Sequence, residues 1–431
     1  MLKRFQSRSE YFKNISKLVA GTTIAQIISF LVAPVITRLY TPSEVGAFTF
    51  LISIAGGIAL VATLRYEMAI ILPKDKGDSV NIAFLSLLIA FGIAVLTLAV
   101  LLFSDWFNIS GFTRNPVMQR WIYLLPLLVF LMAAGNVFQH WFNHNREYRT
   151  LATSKIITSA GNNLTTVLMG FAGFGALGLW LGNFAGFLIV ILFFAILFFL
   201  RYRDTVGHLE FSTQKRLAHT YQYLPLTNMP QVIVDMVQVY GIIFLLQTLY
   251  SSEVLGWYSL SQRLLQAPMF LIGTSICQVF YKDASEKYIM DGDITGLLRK
   301  TIKMSAIVAL PVLVVMLTIG PWLIALIFGL SWKESGIISR ILAPWFFFDF
   351  IRSSVSYTPL IIGKTRQMFY ITMIGAILMV IAITAGGLLI GNSHISFILL
   401  SVLLSIYCVS VIWWIFNSVN KAAQTFSPVK G

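Results

Sequence analysis

"RLYTPSEVGAF", Arg38 to Phe48, lies between two apolar runs, and "LYSSEVLGWYSL", Leu249 to Leu260, lies between two others in the second half of the chain. Each copy opens on Leu-Tyr and places a glycine six positions after the tyrosine, Gly46 after Tyr40 and Gly256 after Tyr250. An aromatic residue follows two places later, Phe48 and Tyr258. A joint written twice, with apolar runs on both sides each time, reads as a duplicated unit. The glycines let the chain turn tightly into the following segment.

The runs around the joints identify the solvent. Charged residues make up 11% of the chain and apolar ones 57%, with 34 phenylalanines; soluble proteins carry about 25% charged residues. About twelve runs are long enough to cross a hydrocarbon core of about 30 Å. With boundaries good to about two to four residues, they are 15–37, 47–72, 80–103, 121–142, 154–174, 177–200, 225–248, 254–280, 304–328, 336–362, 368–390 and 395–416. They are too evenly apolar for barrel strands, which alternate faces, and helices satisfy their own backbone groups in lipid. The expected fold is an all-α polytopic membrane protein.

The net charge of +14 has a topological origin. With a cytoplasmic N-terminus, most Lys and Arg fall on the cytoplasmic side, among them Lys3, Arg4, Arg201, Arg203, Lys215, Arg216, Lys282 and Lys300. The outer side holds Arg38, Arg114, Arg120 and Lys333. This asymmetry places both termini in the cytoplasm and sets the positive charge against anionic lipid head groups, not nucleic acid. The N-terminal "MLKRFQSRSEYFKN" is basic and amphipathic and lacks the short apolar core of a cleavable signal. Cys277 and Cys408 fall inside runs and read as packing residues.

The first joint links runs one and two, the second runs seven and eight. Two six-helix lobes follow: an N-terminal lobe over 1–200, a basic cytoplasmic linker loop over 201–220 ("RYRDTVGHLEFSTQKRLAHT") and a C-terminal lobe over 221–431. An even number of spans per lobe gives both the same orientation, and substrates of such transporters bind between the lobes.

Three stretches resemble a known family. "GTTIAQIISFLVAPVITRLYTPSEVGAF" (Gly21 to Phe48) is similar to the opening of the polysaccharide-transporter branch of the multidrug/oligosaccharidyl-lipid/polysaccharide (MOP) exporter superfamily, which includes Wzx-type O-antigen flippases. "LRYEMAIILPKDK" (Leu64 to Lys76) and the segment from Tyr223 to Tyr281 resemble that family's second, seventh and eighth spans. The resemblance implies a MATE-like fold and a flippase, not an enzyme. It would move an undecaprenyl-diphosphate-linked oligosaccharide to the outer leaflet of a bacterial inner membrane for O-antigen or other surface polysaccharide. Partners would be membrane lipids and a polysaccharide polymerase with its chain-length machinery.

Ionisable groups inside spans cost about 2.5–3.5 kcal/mol each at the centre on insertion scales and so face a cavity or a partner. The embedded cations Arg65, Arg263, Arg352 and Lys155, with Arg38 at the first joint, are the candidates for binding a diphosphate, since guanidinium grips phosphate oxygens bidentately. Asp235, Asp349 and Glu67 are the candidates for binding a coupling proton or sodium ion; no other cofactor or metal is expected. Structural pairing competes with these roles: Arg65 with Glu67, Asp235 with Arg263 on consecutive helices, and Asp349 with Arg352 three residues apart on one face. Lys17, Lys155 and Arg340 lie near span ends, where snorkelling explains them. Gln26, Asn136, His140, Asn163 and Gln231 are the polar cavity candidates, although Asn and Gln also join helices. Trp141, Tyr240, Trp257 and Trp345 could offer aromatic faces to sugars.

Two other functions compete. A multidrug or cation antiporter of the MATE type favours an acidic or apolar cavity, whereas basic groups outnumber acidic ones here. A membrane-embedded polymerase or ligase would be expected to carry a large outer loop with catalytic residues, and the Phe103–Trp121 connection is short. The chain shows no zinc motif, nucleophile–base spacing or phosphate-binding glycine loop.

Overall fold

The structure, a computed structural model, describes the backbone of residues 2–106, 121–268 and 272–425. Within these it describes every side chain except those at 2–18, 105, 106, 206, 230, 231, 234, 235, 238, 268 and 425. The side chains of Lys17, Arg114, Arg120, Gln231 and Asp235 lie outside the described residues.

Among the described residues, helices occupy each expected run. The first six are α1 (Leu2–Leu39), α2 (Pro42–Val61), α3 (Lys76–Trp106), α4 (Leu125–His144), α5 (Tyr148–Phe171) and α6 (Ala176–Val206). A short helix α7 (Phe211–Thr220) precedes α8 (Tyr223–Leu249), the seventh run. The eighth run is α9 (Ser252–Pro268) with α10 (Thr274–Asp291), and the ninth is α11 (Thr295–Thr318) with α12 (Gly320–Phe328). The tenth is α13 (Lys333–Ser354) with α14 (Thr358–Ile361), and the last two are α15 (Thr365–Thr384) and α16 (Ser393–Thr425). Among the described residues, eight helices are long and apolar enough to cross a membrane. Exposed Leu31, Phe171, Leu200 and Leu226 mark lipid-facing surface, where apolar side chains cost nothing. Helices α5 and α13, although 24 and 22 residues long, are not among the eight. Lys155 and Asn163 dilute the first; Arg340, Asp349 and Arg352 dilute the second.

The chain forms two compact units, Met1–Tyr240 and Gly241–Gly431. The division falls inside α8 rather than at residues 201–220. Those residues are not a loop: α6 continues to Val206 and α7 occupies Phe211–Thr220. The reason is local. Gln214 and Leu217, three apart on α7, are both buried, so the segment has an inner face despite its charge.

The duplicated joint is duplicated in its packing. In the first unit, Thr41 and Glu44 form a capping box on α2: the Glu44 amide donates to Thr41 Oγ1 at 3.3 Å, and the Thr41 amide to Glu44 Oε2 at 2.9 Å. The Tyr40 hydroxyl donates to Thr166 O on α5 at 2.7 Å. It also lies over Gly178 of α6, where a Cβ would come within 2.1 Å of it. Phe48 then meets Trp180 of α6 edge-on at 5.9 Å. In the second unit the Tyr250 hydroxyl is 2.5 Å from Ser396 Oγ of α16, and Tyr258 stacks on Phe397 at 5.8 Å. Each joint tyrosine and each joint aromatic thus packs on the last pair of spans in its own unit, fifth and sixth or eleventh and twelfth.

Small residues hold the first unit's helices close. Gly178, Gly182 and Gly186 repeat every fourth residue on α6, and Cβ atoms at the latter two would lie 1.9 Å from Thr166 Oγ1 and 2.8 Å from Thr158 O of α5. In lipid this packing replaces the hydrophobic effect as the source of helix association. A buried aromatic group lies further along the unit: Trp141 and Phe142 of α4, Phe194 of α6 and Leu217 of α7 share one core. Phe142 and Phe194 stack at 5.1 Å, within the spacing that favours aromatic pairs.

Candidate functional site

Several runs bend where an unbroken span was expected, and the break in the second run forms the candidate site. The run 47–72 was read as one span with Arg65 and Glu67 late in it. Instead α2 ends at Val61, and a 3₁₀ turn covers Tyr66–Ile71. Between them Leu64 and Arg65 both have positive φ, 50° and 66°, a left-handed conformation that costs roughly 1–2 kcal/mol per non-glycine residue. Two such residues in succession persist only where neighbours over-determine them.

The neighbours are identifiable. The Thr63 hydroxyl donates to Glu67 Oε2, and Arg65 Nη1 lies 3.3 Å from Glu67 Oε1, with the Glu67 side chain 4% exposed and that of Arg65 21%. Arg65 Nη2 donates to Met68 Sδ at 3.0 Å. The Tyr66 hydroxyl donates to Ala218 O of α7 at 3.0 Å. Ala69 and Ile70 enter the aromatic core. Arg65 Nε is buried with no hydrogen-bond partner in the protein, as is Nδ1 of His140 on α4. α4, which carries His140, packs against the 3₁₀ turn that carries Glu67. Beside it on α4, Gln139 Oε1 accepts from Lys155 Nζ of α5 at 2.6 Å. The structure therefore brings Arg65, Glu67 and His140 together, with Lys155 tied to the residue next to His140. An arginine with an open, buried Nε and a carboxylate on one nitrogen can accept an anion by exchanging partners.

The second unit holds a simpler arrangement. Arg352 Nε and Nη2 both donate to Asp349 Oδ1, at 3.0 and 2.6 Å. Cys408 Sγ of α16 is 3.9 Å from the same oxygen. Both cysteines are free and buried.

Arg263 on α9, Arg38 and Gln26 are exposed, and Asn136 is half-buried. Asn163 is not free for a cavity: its amide donates to Ser159 O at 2.7 Å and Ser29 Oγ at 3.0 Å, fastening α1 to α5. Trp141 offers no face to a sugar, being 1% exposed in the aromatic core. The Trp257 indole donates to Ser331 O at 3.0 Å. Arg340 caps a helix end, donating to Thr318 O at 2.9 Å.

Sequence reading missed Asn81. It is 1% exposed, and all of its polar capacity is used. Nδ2 donates to Gly77 O and His208 O, both at 2.8 Å, and Oδ1 accepts from the Glu210 amide at 3.0 Å and Gln214 Nε2 at 3.4 Å. With Arg216 Nη2 on Asp78 Oδ1 at 2.9 Å, it fastens α7 to α3. Hydrogen bonds from Ser212 and Thr213 hold the Glu210 carboxyl below its ordinary range. An Asn near a helix start is unremarkable in sequence, so nothing marked it.

The family described as "Polysaccharide biosynthesis protein" matches residues 35–337, which include the broken second run and both joints. The chain belongs to this family. Solved structures share its fold. An inward-facing multidrug resistance MATE family transporter of the MOP superfamily superposes with a TM-score of 0.70 at 14% identity, covering 93% of this chain and 96% of the other. The inward closed conformation of the lipid II flippase MurJ superposes with a TM-score of 0.71 at 14% identity, covering 94% and 89%. A MOP superfamily transporter from Pyrococcus furiosus gives 0.56 at 14% identity, covering 95% and 96%. No curated protein matches. The family member described here is a multi-pass membrane protein with the fold of MOP transporters.

Proposed function

We propose that this protein is a flippase for a lipid-linked oligosaccharide, carrying an undecaprenyl-diphosphate-linked glycan from the cytoplasmic to the outer leaflet of a bacterial inner membrane by alternating access. Membership of a polysaccharide biosynthesis family, in a chain with a transporter's fold, supports the substrate class over a drug. The observation that carries the mechanism is the left-handed turn at Leu64–Arg65, with its partly paired arginine. A diphosphate would take the open donors of Arg65, with His140 and Lys155 nearby, and the glycan would follow along polar side chains. Arg263 and Arg352 would serve the same anion later in the cycle. A proton or sodium ion bound at Glu67 or Asp349 would compete with the arginine partner and so couple its gradient to export.

The test is reconstitution. Proteoliposomes holding the purified chain and a polyprenyl-diphosphate-linked glycan should expose the glycan to an added membrane-impermeant glycosidase progressively beyond the half initially outside. Exposure no greater than in protein-free vesicles would reject the proposal.

A further inference from the structure

The Leu64–Arg65 turn is held from outside itself. Its own bonds, Thr63 to Glu67 and Arg65 to Glu67, are local and would survive in several backbone conformations. The bond that reaches furthest along the chain is that from the Tyr66 hydroxyl to Ala218 O. Ala218 is in the last turn of α7, where carbonyls lack partners within their own helix, so the tyrosine caps α7 while α7 anchors the tyrosine. Leu217, beside Ala218, is buried in the same core as Ala69 and Ile70. α7 is in turn fixed to α3 by Asn81 and Arg216. It passes directly into α8 through a tight turn, the Leu224 amide donating to Tyr221 O at 3.0 Å. α8 is the helix that carries the chain into the second unit.

We propose that Tyr66 is a positioning residue: by bonding Ala218 it makes α7 hold the Leu64–Arg65 turn in its left-handed form, so that displacement of α8, which follows α7 directly, alters how Arg65 is presented. The proposal rests on the reading of Arg65 as substrate-facing. Leu and Arg disfavour positive φ, so a turn released from α7 relaxes, and Arg65 leaves its position without any change in its own chemistry.

The physics offers a specific rescue. Glycine adopts positive φ freely, and Leu64 is only half-buried. With glycine at 64 one of the turn's two left-handed penalties is removed, so the turn depends less on the brace. The experiment is amide hydrogen exchange across residues 61–72 in the full chain in lipid nanodiscs, paired with the amount of lipid-linked glycan reaching the outer leaflet of cells. Tyr66→Phe should raise exchange there roughly fivefold, the factor of one ordinary hydrogen bond, and lower export at unchanged protein level. Adding Leu64→Gly to Tyr66→Phe should bring exchange and export part of the way back together, since Arg65 keeps its own left-handed penalty. Unchanged exchange in Tyr66→Phe, or no restoration by Leu64→Gly, would overturn the brace. Normal export by Arg65→Ala, with exchange behaving as expected in the other variants, would overturn the reading of Arg65 and leave the brace standing.

Discussion

Glu67 is the residue on which the candidate site's electrostatics turn, because it is nearly buried and faces an arginine that is not. Breaking a buried pair by removing one partner costs about 3–5 kcal/mol, since the other charge stays behind. Arg65→Gln, which strands the buried Glu67 carboxylate, should therefore lower the amount of folded protein, and adding Glu67→Gln should recover part of it, as measured by protein level and thermal stability. A double variant no better than the single would mean the two side chains do not interact. In the second unit, Asp349→Asn leaves Arg352 without its counter-charge, and the same recovery is expected in Asp349→Asn with Arg352→Gln. That pair was legible in the sequence, because three residues apart on a helix is one face. The Arg65–Glu67 pair was legible too, from two opposite charges close together in one apolar run. Its left-handed turn was not, since "AIILP" reads as apolar whatever its backbone does.

At the scale of elements, the tight pairing of α5 with α6 and the docking of α7 are the features that position the site. Gly182→Ala would place a methyl group 1.9 Å from Thr166 Oγ1 and should sharply reduce folded protein, whereas Gly92→Ala, with nothing within 4 Å, should leave it unchanged. Equal levels for the two variants would contradict the close approach. Asn81→Ala removes the acceptor of one amide and the donor to His208 O. Trypsin should then cut at Lys215 and Arg216 several-fold faster in native membranes, and a wild-type cleavage rate would show that α7 is held by other means. The helices themselves were plain from apolar length. Their breaks at 62–65 and 319 were not, because hydropathy averages over a window longer than the break, and α7 was hidden by its charge. The repeated joint foretold a repeated unit, but not that each tyrosine would pack on its unit's last two spans.

At the scale of the whole molecule, a multi-pass membrane protein takes its orientation from its charge. Reporter fusions after Lys76, Arg216 and Lys300 should lie in the cytoplasm and those near Arg114 and Lys333 outside; an outer location for Arg216 would break the six-plus-six plan. The central claim, that embedded arginines draw a lipid-linked anion across the membrane, is tested most directly by measuring the lipid-linked oligosaccharide that reaches the outer leaflet. The cells compared would carry the wild type, Arg-to-Lys exchanges or the combined Arg65→Ala, Arg263→Ala and Arg352→Ala variant. Lysine keeps the charge and loses the planar fork, so partial export is predicted there, and none is predicted for the combined alanine variant when export is expressed per amount of folded protein. Undiminished export by the alanine variant would contradict the account.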